Sequence, residues 1–249
     1  MYRFYIDDNQ YDGEFVRVTG SDVNHISNVL RLQKGDWVIL CNGEGTDYTG
    51  RIEEFEPDEV LVKILKVSEA GSELPSKIYL FQGLPKSDKM EFIIQKAVET
   101  GVFEVIPVNM KRCVKKINEE KKLAKKLARW NQISEAAAKQ SGRGIVPSVK
   151  SIMSFKEALE YAKSLDYTLM PYELEEVNDK SRENFREAIT GKSIGIFIGP
   201  EGGIDESEVQ LALENGVKAV SLGKRILRTE TAGIVTTSFL IYLMEIEGC

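Results

Sequence analysis

Histidine is almost missing from this 249-residue chain, which has only His25. A multi-histidine metal centre is therefore excluded, and only His25 could complete a Ser-His or Cys-His nucleophilic pair. It sits in SDVNHISNVLRL, a short helix by its pattern, with no Ser or Cys in a nucleophile-elbow context nearby. Its plain reading is a surface or capping residue. Cysteine is scarce as well: Cys41, Cys113 and Cys249 are far apart and odd in number. That fits a reducing cytoplasm and leaves no CxxC redox or zinc knuckle. No apolar run reaches the roughly 20 residues of a membrane span. The opening MYRFYIDDNQ lacks the basic-then-apolar order of a signal peptide, so none is expected. Chemistry then falls to carboxylates, arginines, backbone groups or a bound cofactor.

Net charge is -6, but its distribution is uneven. Residues 1–110 carry a balance of -8, residues 111–143 one of +8, and residues 144–249 one of -6. An acidic protein has thus gathered a third of its positive charge into 33 residues. KKLAKKLAR alone would read as a solvated helix face. With Trp130 on the same helix and KQSGRG at its end, the cluster points to a polyanionic partner, because phosphate contacts need clustered Lys and Arg.

The first 70 or so residues read as strands with short turns. EFVRVTG and EVLVKILKV alternate polar and apolar residues, and WVILCNGEGTDYTGRIEEF is a hairpin bending at Asn42–Gly45. A helix from Ser21 or Asp22 to about Leu30 interrupts them, giving a small β-barrel over residues 1–72, a module often used against RNA. SEAGSELPSK (68–77) reads as a linker. Residues 73–249 form the second domain. From Lys77 strands alternate with helices, which implies a largely parallel sheet covered on both faces. Asp88 with Glu91, Ser154 with Glu157, and Asp205 with Glu208 have the spacing of helix caps. A long helix over about 118–140 turns Leu123, Leu127, Trp130 and Ile133 inward.

Three strands of this second half end in MPYE (170–173), GPEGG (199–203) and LGKRILRTETAG (222–233). In an open parallel sheet, ligands bind at the carboxyl ends of strands. These loops lack GK[ST] and GxGxxG, so neither a P-loop nor a dinucleotide site is expected. Glu201 and Glu173 would repel a triphosphate. A cationic ligand with an adenine to bury suits the loops better, and S-adenosylmethionine, with a sulfonium, an ammonium and no phosphate, is such a ligand.

KSDKMEFIIQKAVETGVFEVIPV, RWNQISEAAAKQSGRGIVP, IGPEGGIDESE and LGKRILRTETA, with HISNVLRL upstream, resemble the RsmE-type 16S rRNA uridine-N3 methyltransferases of the SPOUT superfamily. The resemblance runs from about residue 20 to the end. It implies an N-terminal PUA-like β-barrel and a C-terminal SPOUT α/β domain threaded as a deep trefoil knot, against the general rule for chain connections. It also implies an obligate homodimer, and a uridine of the small ribosomal subunit's 16S rRNA, position 1498, as substrate. The cofactor loops carry over onto Met170, Pro171 and Tyr172, onto Ile198, Gly199, Pro200, Glu201, Gly202 and Gly203, and onto Leu222, Gly223, Ile226, Leu227 and Arg228. Leu222 and Ile226 would sandwich the adenine, or else pack the core.

Chemistry is expected of Arg228, Glu201 and Glu230: Arg228 holding the uracil or a phosphate, one of the carboxylates assisting removal of the N3 proton. Glu230 equally suits the positive end of the last helix. RNA contact is assigned to His25, Arg31, Lys86, Lys89, Arg112, Lys115, Lys116, Arg129, Gln140 and Arg143, and no metal is expected. Two rival readings differ in kind. One is a non-catalytic RNA-binding assembly factor, which leaves the three loops idle. The other is a methyltransferase of the same fold acting on a different RNA group, such as a ribose 2′-hydroxyl or a guanine.

Overall fold

The computed structural model describes residues 1–114, 120–172 and 179–246, without the side chains of residues 120–122. Two compact units emerge. The first is Met1–Glu73 together with Ala138–Val146, and the second is Leu74–Ala137 with Pro147–Cys249.

In the first unit, period-2 alternation produces five strands: β1 (Tyr2–Tyr5), β2 (Phe15–Thr19), β3 (Trp37–Cys41), β4 (Thr46–Phe55) and β5 (Glu59–Glu69). They pair in the order β1-β3-β4-β5-β2, with β1 and β3 parallel and the remaining pairs antiparallel. β1 and β2 are its edges, so the expected barrel is a curled sheet, open along that seam. One residue in two faces inward. Val16, Val18, Val38, Leu40, Ile52, Val60 and Val62 form the core with Phe4 and Ile26. The expected helix is a single α-turn, α1 (Ser21–Asn24), continued by a wider π-type turn over His25–Val29. Arg31, at φ 54°, ends it.

The stretch 138–146 returns to this unit, which a division at residues 72 and 73 does not contain. It is bonded to the β3–β4 bend, where Gly45 donates to the Gly144 carbonyl (2.9 Å) and Val146 donates to that of Gly43 (2.9 Å). Glu73 grips Arg143 at 2.6 Å and accepts from the Gly144 N–H at 2.8 Å. A Cβ on Gly144 would lie 2.0 Å from the Cβ of Ala70, so only glycine allows this approach.

The second unit alternates as its pattern predicts. In chain order it runs β6 (Lys77–Gly83), α2 (Lys89–Glu99), β7 (Glu104–Asn109), α3 (Glu120–Ser141), β8 (Ser148–Val149), β9 (Met153–Ser154), α4 (Phe155–Ala162), β10 (Tyr167–Pro171), α5 (Asp179–Ala188), β11 (Ser193–Ile198), α6 (Glu206–Glu214), β12 (Lys218–Val220) and α7 (Thr229–Ile241). The last four residues of α3 belong to the first unit. The sheet is wholly parallel, ordered β12-β10-β11-β6-β7-β8, with β9 also on β7. Central strands buried on both faces read as continuous apolar runs, as SIGIFI and KIYLF do. Phe81 of β6 and Phe197 of β11 are register partners and stack at 4.5 Å.

The capping expectations fare unevenly. Ser154 and Glu157 close a full capping box. Asp205 accepts from the Ser207 N–H at 3.2 Å, but Glu208 is not its reciprocal partner: it is buried and accepts instead from the Lys111 N–H at 3.0 Å. Asp88 holds the N-cap position of α2 in a near-helical conformation and makes no side-chain cap. Its expected partner, Glu91, pairs with Arg129 at 3.3 Å.

Candidate active site

β12, β10 and β11 are neighbours in the sheet, so the loops that follow them leave from one edge. They enclose a pocket of about 420 Å³, within the usual range of small-ligand sites. Pro171 and Tyr172 line it after β10, while Ile198, Gly199, Pro200, Glu201 and Gly203 line it after β11. Leu222, Gly223, Ile226, Leu227 and Arg228 complete it after β12. Two of the residues expected of the cofactor loops stand back from the lining. Met170 is fully buried in β10, and Gly202 faces Arg112 across the outer side of its loop. Glu173 lies outside the described residues.

The glycine-rich loop is braced from beneath. Gly83, at the end of β6, must be glycine because a Cβ there would meet the Pro200 nitrogen at 2.7 Å. Gly203, at φ 71°, makes the turn that its N–H closes onto the Pro200 carbonyl at 2.9 Å. Thr229, the first residue of α7, donates its hydroxyl to the Gly199 carbonyl at 2.6 Å. Gln82 of β6 in turn donates to Thr229 Oγ1 at 2.9 Å and to the Gly83 carbonyl at 3.0 Å. Gln82 Oε1 is buried with no hydrogen-bond partner among the described residues. Neither Gln82 nor Thr229 is evident as a site residue in the sequence; the one signal is a glutamine inside an otherwise apolar strand.

Charge gathers at one side of the pocket. Lys89, in the first turn of α2, places its ammonium 3.3 Å from Glu201 Oε1 and 3.1 Å from Glu230 Oε2. The Lys86 N–H also donates to both oxygens of Glu201, at 3.0 and 3.2 Å. Burial raises the Glu201 carboxyl, but the N–H groups of Glu201 and Lys86 and the Lys89 ammonium outweigh it and leave the group below its ordinary value. Glu230 follows the same balance: burial raises it, while its own N–H, Lys89 and Arg228 bring it down. Lys89 is raised by its hydrogen bond to Glu230 above all; burial opposes this, and the hydrogen bond to Glu201 adds to the rise. Both carboxylates are therefore ionised at neutral pH. Arg228 holds the N-cap position of α7 without a side-chain cap, its side chain 80% exposed with Nη1 4.0 Å from Glu230 Oε1.

The residues expected to touch RNA divide. His25 and Arg31 are exposed on the first unit, as is Gln140. Lys86 is exposed at the α2 entry, and Arg129 is exposed though paired with Glu91. Arg112 donates to the Gly202 carbonyl at 3.1 Å and stands 3.6 Å from Asp205, so it props the glycine-rich loop. Lys89 belongs to the carboxylate cluster. Arg143 is only 4% exposed and bound to Glu73, so the structure presents no surface cation there: it is a strut of the first unit. Lys115 and Lys116 lie outside the described residues. Among the described residues no group of His, Cys, Asp and Glu could hold a metal ion.

Comparison with known proteins agrees with this geometry. A family model described as an RNA methyltransferase domain matches residues 72–241, and one described as an RNA methyltransferase PUA domain matches residues 18–65. The chain is 37% identical to the ribosomal RNA small subunit methyltransferase E of Bacillus subtilis, over 92% of this chain and 90% of that protein. It is 35% identical to the protein of the same description from Mesomycoplasma hyopneumoniae, over 94% and 96% of the two chains. Among solved structures, the ribosomal RNA small subunit methyltransferase E of Neisseria gonorrhoeae bound to S-adenosyl methionine matches at 35% identity and a TM-score of 0.78, covering 98% of each chain.

Proposed function

The chain belongs to the RNA methyltransferase family, among its ribosomal RNA small subunit methyltransferase E members, and on that premise we propose that it methylates N3 of a uridine in 16S rRNA, using S-adenosylmethionine. The observation that carries the reading is the convergence of the loops after β10, β11 and β12 on one pocket, lined by loop backbone and apolar side chains with Glu201 as its carboxylate and Lys89, Arg225 and Arg228 as its cations. Glu201 can meet the positive charge of a cofactor bearing a sulfonium and an ammonium, and the apolar lining can take its adenine. Ile226, 83% exposed at the pocket, offers an apolar surface that a planar adenine would cover, with Leu222 on the same loop as its partner. The remaining loop residues contribute backbone N–H and carbonyl groups to the adenine edge.

S-adenosylmethionine supplies the electrophilic methyl group; the chain must bind, align and manage a proton. The N3–H of uracil is a weak acid, and its lone pair becomes nucleophilic as that proton leaves. With the cofactor bound, N3 would take the methyl in line as the sulfonium leaves, and the chain's part is to hold the two aligned. In this reading Arg228 meets the negative charge that develops on O2 and O4. Glu201 and Glu230, held below their usual range, are weak bases, so they receive the proton only as the nearby cation makes N3–H more acidic. The cation carries the larger share of that step.

Rigidity at the loops comes from Thr229, Gln82 and Arg112. RNA contact falls to the exposed candidates His25, Arg31, Lys86, Arg129 and Gln140. The knot and the homodimer belong to this proposal too. The exposed Phe239 of α7, with Tyr242 and Ile246 in the turn that follows it, forms the apolar face that a second copy would cover. No helix among the described residues is long and apolar enough to cross a membrane, and an rRNA substrate places the protein in the cytoplasm. Titration calorimetry with S-adenosylmethionine, joined to mass spectrometry of 16S rRNA from cells lacking the protein, tests the reading. Binding and one missing uridine methyl are expected. A protein that ignores the cofactor would overturn it, and a missing methyl on a ribose or a guanine would replace its substrate.

A further inference from the structure

We propose that Lys89 is a positioning residue of the methyl-transfer site, a clasp that fixes Glu201 of the glycine-rich loop and Glu230 of α7, and not an anchor for RNA phosphate. The inference rests on the function proposed above. Its starting point is an anomaly of placement: Lys89 opens α2, where the positive helix end disfavours a cation. The two carboxylates, at 3.3 and 3.1 Å, offset that. They come from chain positions 112 and 141 residues away, so one ammonium joins three separate segments of the pocket wall. An ammonium so engaged has its charge already neutralised and has few counterions to release to a phosphate backbone.

The groups facing the two carboxylates are few. Lys89 and the Lys86 N–H face Glu201. Lys89 and the more distant Arg228 face Glu230. Arg225 also lines the pocket, and Arg112 with Asp205 occupies the outer side of the loop. Without the Lys89 ammonium, Glu201 keeps, among the described residues, one backbone donor from outside its own residue, and Glu230 keeps its own N–H and the exposed Arg228. Both carboxyls then rise toward ordinary values, and the loop loses a tie to α2. Activity should fall at mildly acid pH and recover as pH rises.

Lys89→Met and Lys89→Arg test this in the full-length protein. In Lys89→Met the acid limb of the kcat/KM profile should move to higher pH, a shift of one unit costing about tenfold below it. KM for S-adenosylmethionine should rise, and Lys89→Arg should restore most of both. The salt dependence of 16S rRNA binding should keep its slope, whereas a phosphate anchor would lower it by about one. A lowered slope with an unmoved acid limb overturns the proposal. Carbon-13 NMR titration of the Glu201 and Glu230 carboxyls reads the clasp without turnover: both should titrate higher in Lys89→Met, and unmoved carboxyls overturn it. A wild-type protein that fails to methylate 16S rRNA refutes the functional reading instead, and the NMR result still decides the clasp.

Discussion

Thr229→Val isolates the brace beneath the glycine-rich loop. Valine matches threonine in shape, so no cavity opens, but the hydroxyl is lost. Two hydrogen bonds go with it: the 2.6 Å bond to the Gly199 carbonyl and the 2.9 Å bond from Gln82. Each is worth about 1 kcal/mol net, and a polar group stranded in a buried place costs about 1–3 kcal/mol more. Gln82 retains the Gly83 carbonyl as acceptor, so the loss falls mainly on Gly199. A methyl group cannot stand 2.6 Å from a carbonyl oxygen either, so the loop must move outward. A loss of about 2 kcal/mol lowers the melting temperature of a chain this size by about 4–8 °C. Differential scanning fluorimetry with and without S-adenosylmethionine measures the loss and the cofactor's stabilising shift, which should shrink. Thr229→Ser keeps the hydroxyl and should retain most of both. If the valine variant melts within 1 °C of wild type, at the ~2 kcal/mol expected, and binds the cofactor normally, the brace has been misread.

Arg228→Ala should abolish methylation yet leave the affinity for S-adenosylmethionine within a few-fold by calorimetry, since its side chain is mostly solvent-exposed; equal loss of both would make it a cofactor residue. Glu73→Ala removes the carboxylate shared by Arg143, Gly144 and Ile145. Breaking a pair this buried costs about 3 kcal/mol or more, and chemical denaturation should show it; a neutral outcome would return Arg143 to the surface cations. Glu208 is raised above the ordinary carboxyl value, by burial first, against the hydrogen bond from the Lys111 N–H. The folded state then binds a proton more readily than the unfolded state, so this group's contribution to stability declines as pH rises through that interval. Glu208→Gln should gain on wild type in thermal midpoint from pH 5 to pH 8, and a pH-independent difference would contradict the raised carboxyl.

Much of the architecture was legible because it is local. Period-2 alternation marks β2 and β5, apolar runs between glycines mark β6 and β11, and Ser154 with Glu157 announces α4 through contacts three residues apart. What failed was the assumption that spacing alone selects a partner. Asp88 and Glu91 have capping-box spacing, yet Asp88 is held near-helical and Glu91 turns to Arg129. Glu208 has the same spacing from Asp205 and is drawn away to the Lys111 N–H. The curl of the first sheet without closure, and the return of residues 138–146 to it, depend on backbone bonds to Gly43, Gly45 and Glu73 that no periodicity encodes.

The candidate pocket was legible for a different reason. Its loops are rich in glycine and proline, which mark irregular backbone, and β-α alternation puts strand ends on one edge; adjacency of β12, β10 and β11 then brings the loops together. Charge proved harder to interpret, because a cation's role depends on the acceptors around it. Lysine and arginine between 86 and 143 all register in sequence as positive charge available to a polyanion. In three dimensions, Lys89 serves two carboxylates 112 and 141 residues away, Arg112 serves a loop carbonyl 90 residues away, and Arg143 serves Glu73 from 70 residues away. A basic cluster in an acidic protein has two sources of counter-charge, the ligand and the protein itself. Where the fold brings a carboxylate within about 3 Å, the local pair wins, since it requires no ordering of a second molecule. The salt slope for RNA should therefore reflect the cations left at the surface, and be smaller than a count of Lys and Arg in residues 86–143 would give.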